Sequence, residues 1–217
     1  MNKRFGQVIL ATAYLPPVAL YRVLVNSDVV VLENCENYQK QSYRNRCYIY
    51  GSGGFLPLTV PVLREKGNRL ISTVRIDNSK EWKKQHLRAI ISAYRSAPFF
   101  EHYFDPLRFL IDQEHEYLSR MNLSLIELIL SMIEINCNIK LSNNYCQDFN
   151  GLDLRESIHP KKGDFKVGGE VWESNEDIKQ NGQYHQVFAH KFGFISNLSI
   201  LDLLFNEGPE TLLRLKI

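Results

Sequence analysis

Two apolar runs near the start of the chain enclose a segment with helical character. Residues 7–14 and 28–32 are apolar, and the second run is rich in valine, which favours strands. Residues 18–24 lie between them, and Pro17 suits the first turn of a helix. A strand, a helix and a strand in so short a stretch form a βαβ unit with parallel strands. The pattern therefore predicts an α/β fold whose sheet opens with this unit.

A glycine-rich turn predicts a hairpin after this unit. Residues 51–54 read Gly-Ser-Gly-Gly and separate the apolar residues 47–50 from 55–63, and glycine readily adopts the positive φ of a tight turn. Pro61 has no N–H to donate, so we expect the second arm to be an edge or to leave the sheet there. Residues 70–76 predict a further strand.

The second half of the chain predicts several packed helices. Apolar residues at helical spacing occur in residues 81–95, 99–118 and 122–136. Residues 138–142 predict a short strand, and the polar residues 143–182 predict loops. The fold class expected is thus α/β, with a mixed sheet opened by a βαβ unit, a hairpin, and several packed helices in the C-terminal half.

The composition fits one globular domain. The chain has 217 residues, of which 44% are hydrophobic and 12% aromatic, enough to bury a sizeable core. We expect a single domain over residues 1–217, with an α/β part over about 1–80 and a helical part over about 81–217.

Charge and apolar run lengths exclude several classes of protein. The formal net charge of +2 gives no general case for binding nucleic acid. No run approaches 18 apolar residues, so we predict no transmembrane segment, and residues 1–6 lead into no signal-peptide pattern. These features predict a cytoplasmic protein. The four cysteines contain no C-x-x-C pair, which favours free buried thiols over a disulfide or a metal site.

Residues 38–46 are the strongest candidate for ligand recognition. They carry three cations, three side-chain amides and two phenols, with no carboxylate. Arg44 and Arg46 would share one face if the segment is extended, and guanidinium groups suit phosphate or carboxylate ligands. The alternative is a solvated edge strand protected by cations. The substrate-binding residues expected for an anionic or sugar-containing ligand are Tyr14, Gln39, Lys40, Arg44, Asn45 and Arg46.

His86 is the candidate catalytic residue. It lies one turn after Trp82, beside the apolar stripe of the helix predicted over residues 81–95. A histidine there can act as a general base or can be a satisfied structural residue. Cys35 with His86 could also form a thiol nucleophile, although no flanking signature supports that pair.

The ends of the first two predicted strands also point to a ligand site. Ligands of parallel α/β sheets bind outside the carboxyl ends of the strands. Tyr14 follows the first strand and residues 33–35, Glu-Asn-Cys, follow the second, so both loops would line one crevice or would be ordinary loops. Residues 153–155 and 159–162 add a second basic cluster that could close over an anion or lie in solvent. The chain has no dinucleotide, Walker or zinc-protease motif and identifies no cofactor.

Several longer motifs resemble those of the WbqC-like family, over nearly the whole chain. They are Ala13-Tyr14-Leu15-Pro16-Pro17, residues 38–47, residues 58–62, Trp82 with His86, Ala93-Tyr94, residues 97–100 and residues 192–209. That family is associated with O-antigen and other surface-polysaccharide clusters of bacteria. The resemblance implies a role in a glycan pathway. Taken together with the carboxylate-free residues 38–46, this context predicts an enzyme, a transferase, that modifies a nucleotide-linked or lipid-linked sugar, with group transfer to an amino sugar as the reaction. The alternatives are a non-catalytic sugar-binding or assembly module and a Cys–His acyltransferase or hydrolase.

Overall fold

The structure is a computed structural model that describes residues 5–64, 67, 69–160, 165–167, 170–173 and 183–216. Its strands are β1 (Phe5–Ala11), β2 (Ser27–Glu33), β3 (Arg46–Gly51), β4 (Gly54–Thr59), β5 (Ile139–Leu141), β6 (Leu152–Asp153), β7 (Phe165–Val167) and β8 (Glu170–Glu173). Its helices are α1 (Val18–Val25), α2 (Trp82–Tyr94), α3 (Phe100–Asp112), α4 (Leu118–Met132), α5 (Ala189–Phe192), α6 (Ile200–Glu207) and α7 (Thr211–Leu215).

A four-stranded parallel sheet organises the fold, in the order β5-β2-β1-β6. β1 and β2 pair over their whole length, with Val8 opposite Val30, so the predicted βαβ unit is confirmed. Val8, Ile9 and Leu10 are all buried, as expected for central strands covered on both faces. The edge strands β5 and β6 come from the second half of the chain, and the predicted short strand at 138–142 is confirmed as β5.

The predicted hairpin is β3 and β4, which pair antiparallel from Arg46↔Thr59 to Gly51↔Gly54. Gly54 has a φ of 96°, which explains the glycine at this end of the turn. β4 ends at Thr59, two residues before Pro61, so the chain leaves the ladder where expected.

The strand predicted over residues 70–76 is wrong. Ile71–Thr73 is a 3₁₀ helix, and Leu70 and Ile76 make only isolated bridges. Ile71 and Val74 are both buried, because one turn of 3₁₀ helix places residues three apart on the same side. The apolar residues reach the core through this turn instead of through alternation along a strand.

The helices of the second half match the prediction with one exception. α2 lies within the predicted bounds, α4 begins and ends four residues earlier than predicted, and the helix expected over residues 99–118 is broken. α3 ends at Asp112 because Gln113 is extended, and the Glu116 carbonyl accepts a hydrogen bond from Ile76 N–H before α4 begins. Of the loops predicted over residues 143–182, residues 161–164, 168–169 and 174–182 lie outside the described residues.

The core lies between the sheet, the hairpin and the helices. Fully buried aromatic side chains from several elements meet there, and Tyr94 of α2, Phe100 of α3 and Phe205 of α6 pack with Phe205 at the centre. Within the described helices, none has the length and apolar character needed to cross a bilayer.

Candidate functional site

The carboxyl ends of the parallel strands define the candidate site. β2 ends at Glu33, whose side chain is 0% exposed. Its Oε1 accepts hydrogen bonds from Cys35 N–H at 2.9 Å and from the Ser142 hydroxyl. Its Oε2 accepts from Cys146 N–H at 3.0 Å and from Arg155 Nη1 at 3.1 Å. One carboxylate therefore ties together the loops that follow β2, β5 and β6.

Arg155 completes this arrangement from the loop after β6. Its Nε and Nη2 donate to Asp153, with Nη2 2.6 Å from Oδ2, and its guanidinium lies 4.8 Å from the centre of the Tyr145 ring. Burial by itself would raise the pKa of Asp153, but the hydrogen bonds from Arg155 outweigh it and lower that pKa. Arg155 thus stands between two carboxylates, Glu33 and Asp153, and its charge is already compensated.

A second arginine–carboxylate pair lies next to the first. Arg44 Nε donates to Glu36 Oε1 at 2.7 Å and Arg44 Nη2 to Glu36 Oε2 at 2.5 Å, a bidentate pair in which both side chains are buried. Arg44 Nη2 also lies 3.7 Å from the Glu156 carboxylate. Burial raises the pKa of Glu36, and the Arg44 contacts offset this only in part. Gln39 Nε2 donates to Glu156 at 2.7 Å.

These groups surround a cleft of about 740 Å³. Nine residues line it: Cys35, Glu36, Asn37, Gln39, Tyr145, Asp153, Arg155, Glu156 and Ser157. Four carboxylates (Glu33, Glu36, Asp153 and Glu156) and two guanidinium groups (Arg44 and Arg155) lie in its wall or directly behind it. The charged groups described here leave an excess of two carboxylates, so the cleft attracts a cation more than an anion.

The residues predicted for substrate binding divide between different surroundings. Gln39 lines the cleft, and Arg44 lies behind it, held by Glu36. Lys40 is exposed on the turn before β3. Asn45 donates to the Val60 carbonyl at 2.8 Å, and Arg46 donates to the Thr59 hydroxyl at 2.9 Å on the hairpin.

Residues 38–46 are not extended throughout, so the condition under which Arg44 and Arg46 would share a face is not met. Residues 40–44 form turns, and Gln41 has a φ of 57°. Ser42 fixes this turn by donating to the Gln39 carbonyl at 2.7 Å. Arg44 and Arg46 consequently do not share a face, because Arg44 reaches Glu36 while Arg46 reaches Thr59.

His86 and Tyr14 form a separate buried cluster. The Tyr14 hydroxyl lies 2.9 Å from Nδ1 of His86, and Trp82 packs edge-on against both rings. Burial lowers the pKa of His86 to about 4, and a hydrogen bond to the Thr59 backbone opposes this shift only partly. The imidazole is therefore neutral at pH 7, and its Nδ1 can accept a hydrogen bond from the Tyr14 hydroxyl.

The four cysteines are all free thiols, as predicted, although Cys47 alone among them is fully buried. Cys35 lines the cleft, and its sulfur lies 3.7 Å from the Ser142 carbonyl. The hydrogen-bond partners of His86 are Tyr14 and Thr59. The hydrogen bonds of Cys35 and His86 described here therefore do not join the thiol to the imidazole.

Sequence reasoning missed part of the cleft. It identified the loop after β2 and residues 153–155, but not Glu36, Tyr145 or Glu156. Glu36 lies only two residues before the segment 38–46, and its pairing with Arg44 removes the uncompensated charge on which that segment was chosen. Glu156 is 117 residues from its partner Gln39, so no local pattern connects them.

The fold and the cleft define an α/β protein with a polar cleft at the carboxyl edge of a parallel sheet. The chain belongs to the WbqC-like protein family, whose model matches residues 12–164, a range that includes all nine residues lining the cleft. It is 26% identical to the uncharacterized protein Rv1507c of Mycobacterium tuberculosis, over 93% of this chain and 94% of that protein. No solved structure matches it.

Proposed function

We propose that this protein is an enzyme of bacterial surface-polysaccharide biosynthesis, for O-antigen or capsule, and that its carboxyl-edge cleft binds a nucleotide-linked or lipid-linked sugar. Membership of the WbqC-like family supports the pathway. The observation that carries the proposal is the lining of the cleft, where amides, carboxylates and a phenol ring surround one space of about 740 Å³.

The lining suits a molecule rich in hydroxyl groups. The amides of Asn37 and Gln39 and the hydroxyl of Ser157 both donate and accept hydrogen bonds, as sugar hydroxyls do. The Glu156 carboxylate, which is 59% exposed, can accept from two hydroxyls at once. The Tyr145 ring, fixed against Arg155, offers a flat apolar surface beside these polar groups. A few convergent polar groups with one aromatic surface are typical of small-molecule sites.

The excess of carboxylates indicates which sugar the cleft prefers. A protonated amine would compensate the negative charge that Arg44 and Arg155 leave uncompensated, so the sugar would occupy the carboxylate-lined part of the cleft and the phosphates of its carrier would lie outside that part. Group transfer to an amino sugar fits this charge balance. One carboxylate pairs with the ammonium group, and a neighbouring one accepts the proton that the nitrogen must lose before it can attack. The nitrogen then bonds to the transferred group as the bond between that group and its donor breaks, and the donor leaves with the electron pair of the broken bond. Asp153 and Glu156 are the more exposed carboxylates and take these roles.

Binding measurements test the sugar site. Titration of ¹⁵N-labelled protein with glucosamine, N-acetylglucosamine and glucose, and with their nucleotide-linked forms, should shift amide signals of residues 35–39 and 153–157. We expect glucosamine to bind most tightly at pH 7. Tyr145→Ala should weaken binding about five- to tenfold, as expected for one lost ring contact. Glu156→Gln should weaken it about tenfold or more, as expected for one lost charged hydrogen bond.

A matched control is Glu116→Gln, because Glu116 is also an exposed carboxylate paired with an arginine but lies far along the chain from the cleft lining. Shifts that cluster elsewhere on the protein, or equal losses in Glu116→Gln and Glu156→Gln, would show that the cleft is not the sugar site.

A non-catalytic sugar-binding module is the second candidate. The burial of His86 against Tyr14 favours it, because a neutral imidazole with a pKa of about 4 is poorly matched to proton transfer at pH 7. Turnover of an amino sugar that is lost in His86→Gln, with the Tyr14→Phe variant as the comparison for loss of the hydrogen bond alone, would exclude this candidate and restore His86 as the general base.

A further inference from the structure

The hairpin tip and a neighbouring turn expose large apolar side chains together. Phe55 and Leu56, at the start of β4, are 52% and 38% exposed. Phe192, at the end of α5, is 51% exposed. These two exposed phenylalanines need an explanation, since each leaves apolar surface in water.

Tyr50 holds the two segments side by side. Its hydroxyl donates to the Gly193 carbonyl at 2.7 Å and lies 3.1 Å from the Phe188 carbonyl, and its ring lies 6.5 Å from that of Phe192. Across the ladder, Tyr50 pairs with Phe55. Phe55 also packs on Tyr48, with ring centres 4.9 Å apart. Leu56 pairs with the buried Ile49 and lies on the other face of the hairpin. The surface formed by Tyr48, Phe55, Lys191 and Phe192 is called the hairpin patch below.

The charged side chains of the hairpin segment and of the segment around α5 are all positive. Residues 37–64, which contain the hairpin, include no aspartate or glutamate, and neither do residues 183–201. Arg46 lies on the same face of β3 as Tyr48, and Lys191 lies next to Phe192 and 5.8 Å from the Phe188 ring. Exposed phenylalanines with cations in the same two segments, and no carboxylate in either segment, match a partner surface that is apolar and negatively charged.

We propose that the hairpin patch binds the surface of a membrane that contains anionic lipid. Phe55 and Phe192 would enter the boundary between headgroups and acyl chains, while Arg46 and Lys191 would contact lipid phosphates. The density of cations is too low, and Phe55 with Pro57 too apolar, for a nucleic-acid surface of the usual kind. This inference does not depend on the sugar site, but it would bring a lipid-linked sugar within reach of the protein.

Vesicle co-sedimentation tests the proposal. The full chain is mixed with vesicles of phosphatidylcholine alone and of phosphatidylcholine with 30% phosphatidylglycerol. We expect binding to the anionic vesicles that weakens as salt rises. Phe55→Ser combined with Phe192→Ser should reduce this binding by about tenfold or more, from the loss of two apolar side chains at the interface. Lys191→Gln should reduce binding to the anionic vesicles but should not change binding to vesicles of phosphatidylcholine alone.

The matched control is Phe109→Ser, since Phe109 of α3 is 72% exposed but outside the hairpin patch. All four substituted residues are exposed, and circular dichroism confirms that each variant folds. The proposal is overturned if the wild type stays in the supernatant with anionic vesicles, or if Phe109→Ser loses as much binding as the double variant. Tighter binding to a 30-nucleotide single-stranded DNA than to the vesicles also overturns it.

Discussion

Glu33→Gln tests whether one buried carboxylate holds the cleft together. The substitution keeps the shape of the side chain and one of its oxygens. The bonds from Cys35 N–H and the Ser142 hydroxyl to Oε1 can therefore remain. The new amide nitrogen, however, meets Cys146 N–H and Arg155 Nη1, which are also donors, so two hydrogen bonds are lost.

The magnitude follows from those two bonds. A hydrogen bond to a charged acceptor contributes about 1.5–3 kcal/mol, and the removal of one partner from a buried ion pair costs about 3–5 kcal/mol. Arg155 keeps Asp153 as a partner, which limits the loss. We therefore expect a decrease in unfolding free energy of about 3 kcal/mol, which corresponds to a Tm lowered by roughly 6–12 °C in a domain of this size.

Urea unfolding followed by circular dichroism measures this change, and Glu116→Gln is the control. Glu116 also pairs with an arginine, Arg75, but both side chains are more than half exposed, so its loss should cost at most about 1 kcal/mol. If Glu33→Gln is as stable as Glu116→Gln, the carboxylate does not connect the three loops energetically. The coupling energy of the pair follows from the stability of Glu33→Gln, Arg155→Met and the double variant, each compared with the wild type.

Two further substitutions test buried features away from the cleft. Burial raises the pKa of Asp202 to about 6, with the hydrogen bond from Tyr184 as a partial offset, so the folded state holds this proton more tightly than the unfolded chain. Its contribution to stability must then fall as the pH rises from about 4 to about 6, by at most about 3 kcal/mol. Urea unfolding of Asp202→Asn should lack that decrease, and a pH dependence equal to that of the wild type would refute the raised pKa. Gly208 has a φ of 54°, and an added Cβ would lie 2.4 Å from the Phe99 ring, so Gly208→Ala should lose about 2–4 kcal/mol in thermal unfolding. Gly53→Ala, at an open position, is its control, and equal Tm values would contradict the steric argument.

The sequence predicted those parts of the fold that depend on nearby residues. The βαβ unit follows from a valine-rich run and Pro17, and the hairpin follows from the glycines at 51–54, because both patterns act within a few residues. The predicted strand at 70–76 failed for the opposite reason. Ile71 and Val74 are buried in the core, and two apolar residues three apart do not distinguish a strand from a 3₁₀ turn. Their packing against distant residues favours the turn.

The candidate site was less predictable than the fold. Cys35 and residues 153–155 were identified because they follow strands or carry charge, and the structure places both in the wall of one cleft. The charge of that cleft could not be derived from residues 38–46, since Glu36 compensates Arg44 from just outside the segment and Glu156 arrives from far along the chain. Whether a cation is available to a ligand depends on its carboxylate partners in the folded chain. The composition of a short segment does not show those partners.

The strand order has a consequence for synthesis of the chain. β1 and β2 emerge first but occupy the middle of the sheet, and their partners β5 and β6 lie more than a hundred residues later. Until residues 139–155 have left the ribosome, the outer edges of the first two strands are unpaired and Glu33 lacks its donors from Ser142, Cys146 and Arg155. During synthesis the N-terminal half therefore exposes two open strand edges that the second half of the chain later covers.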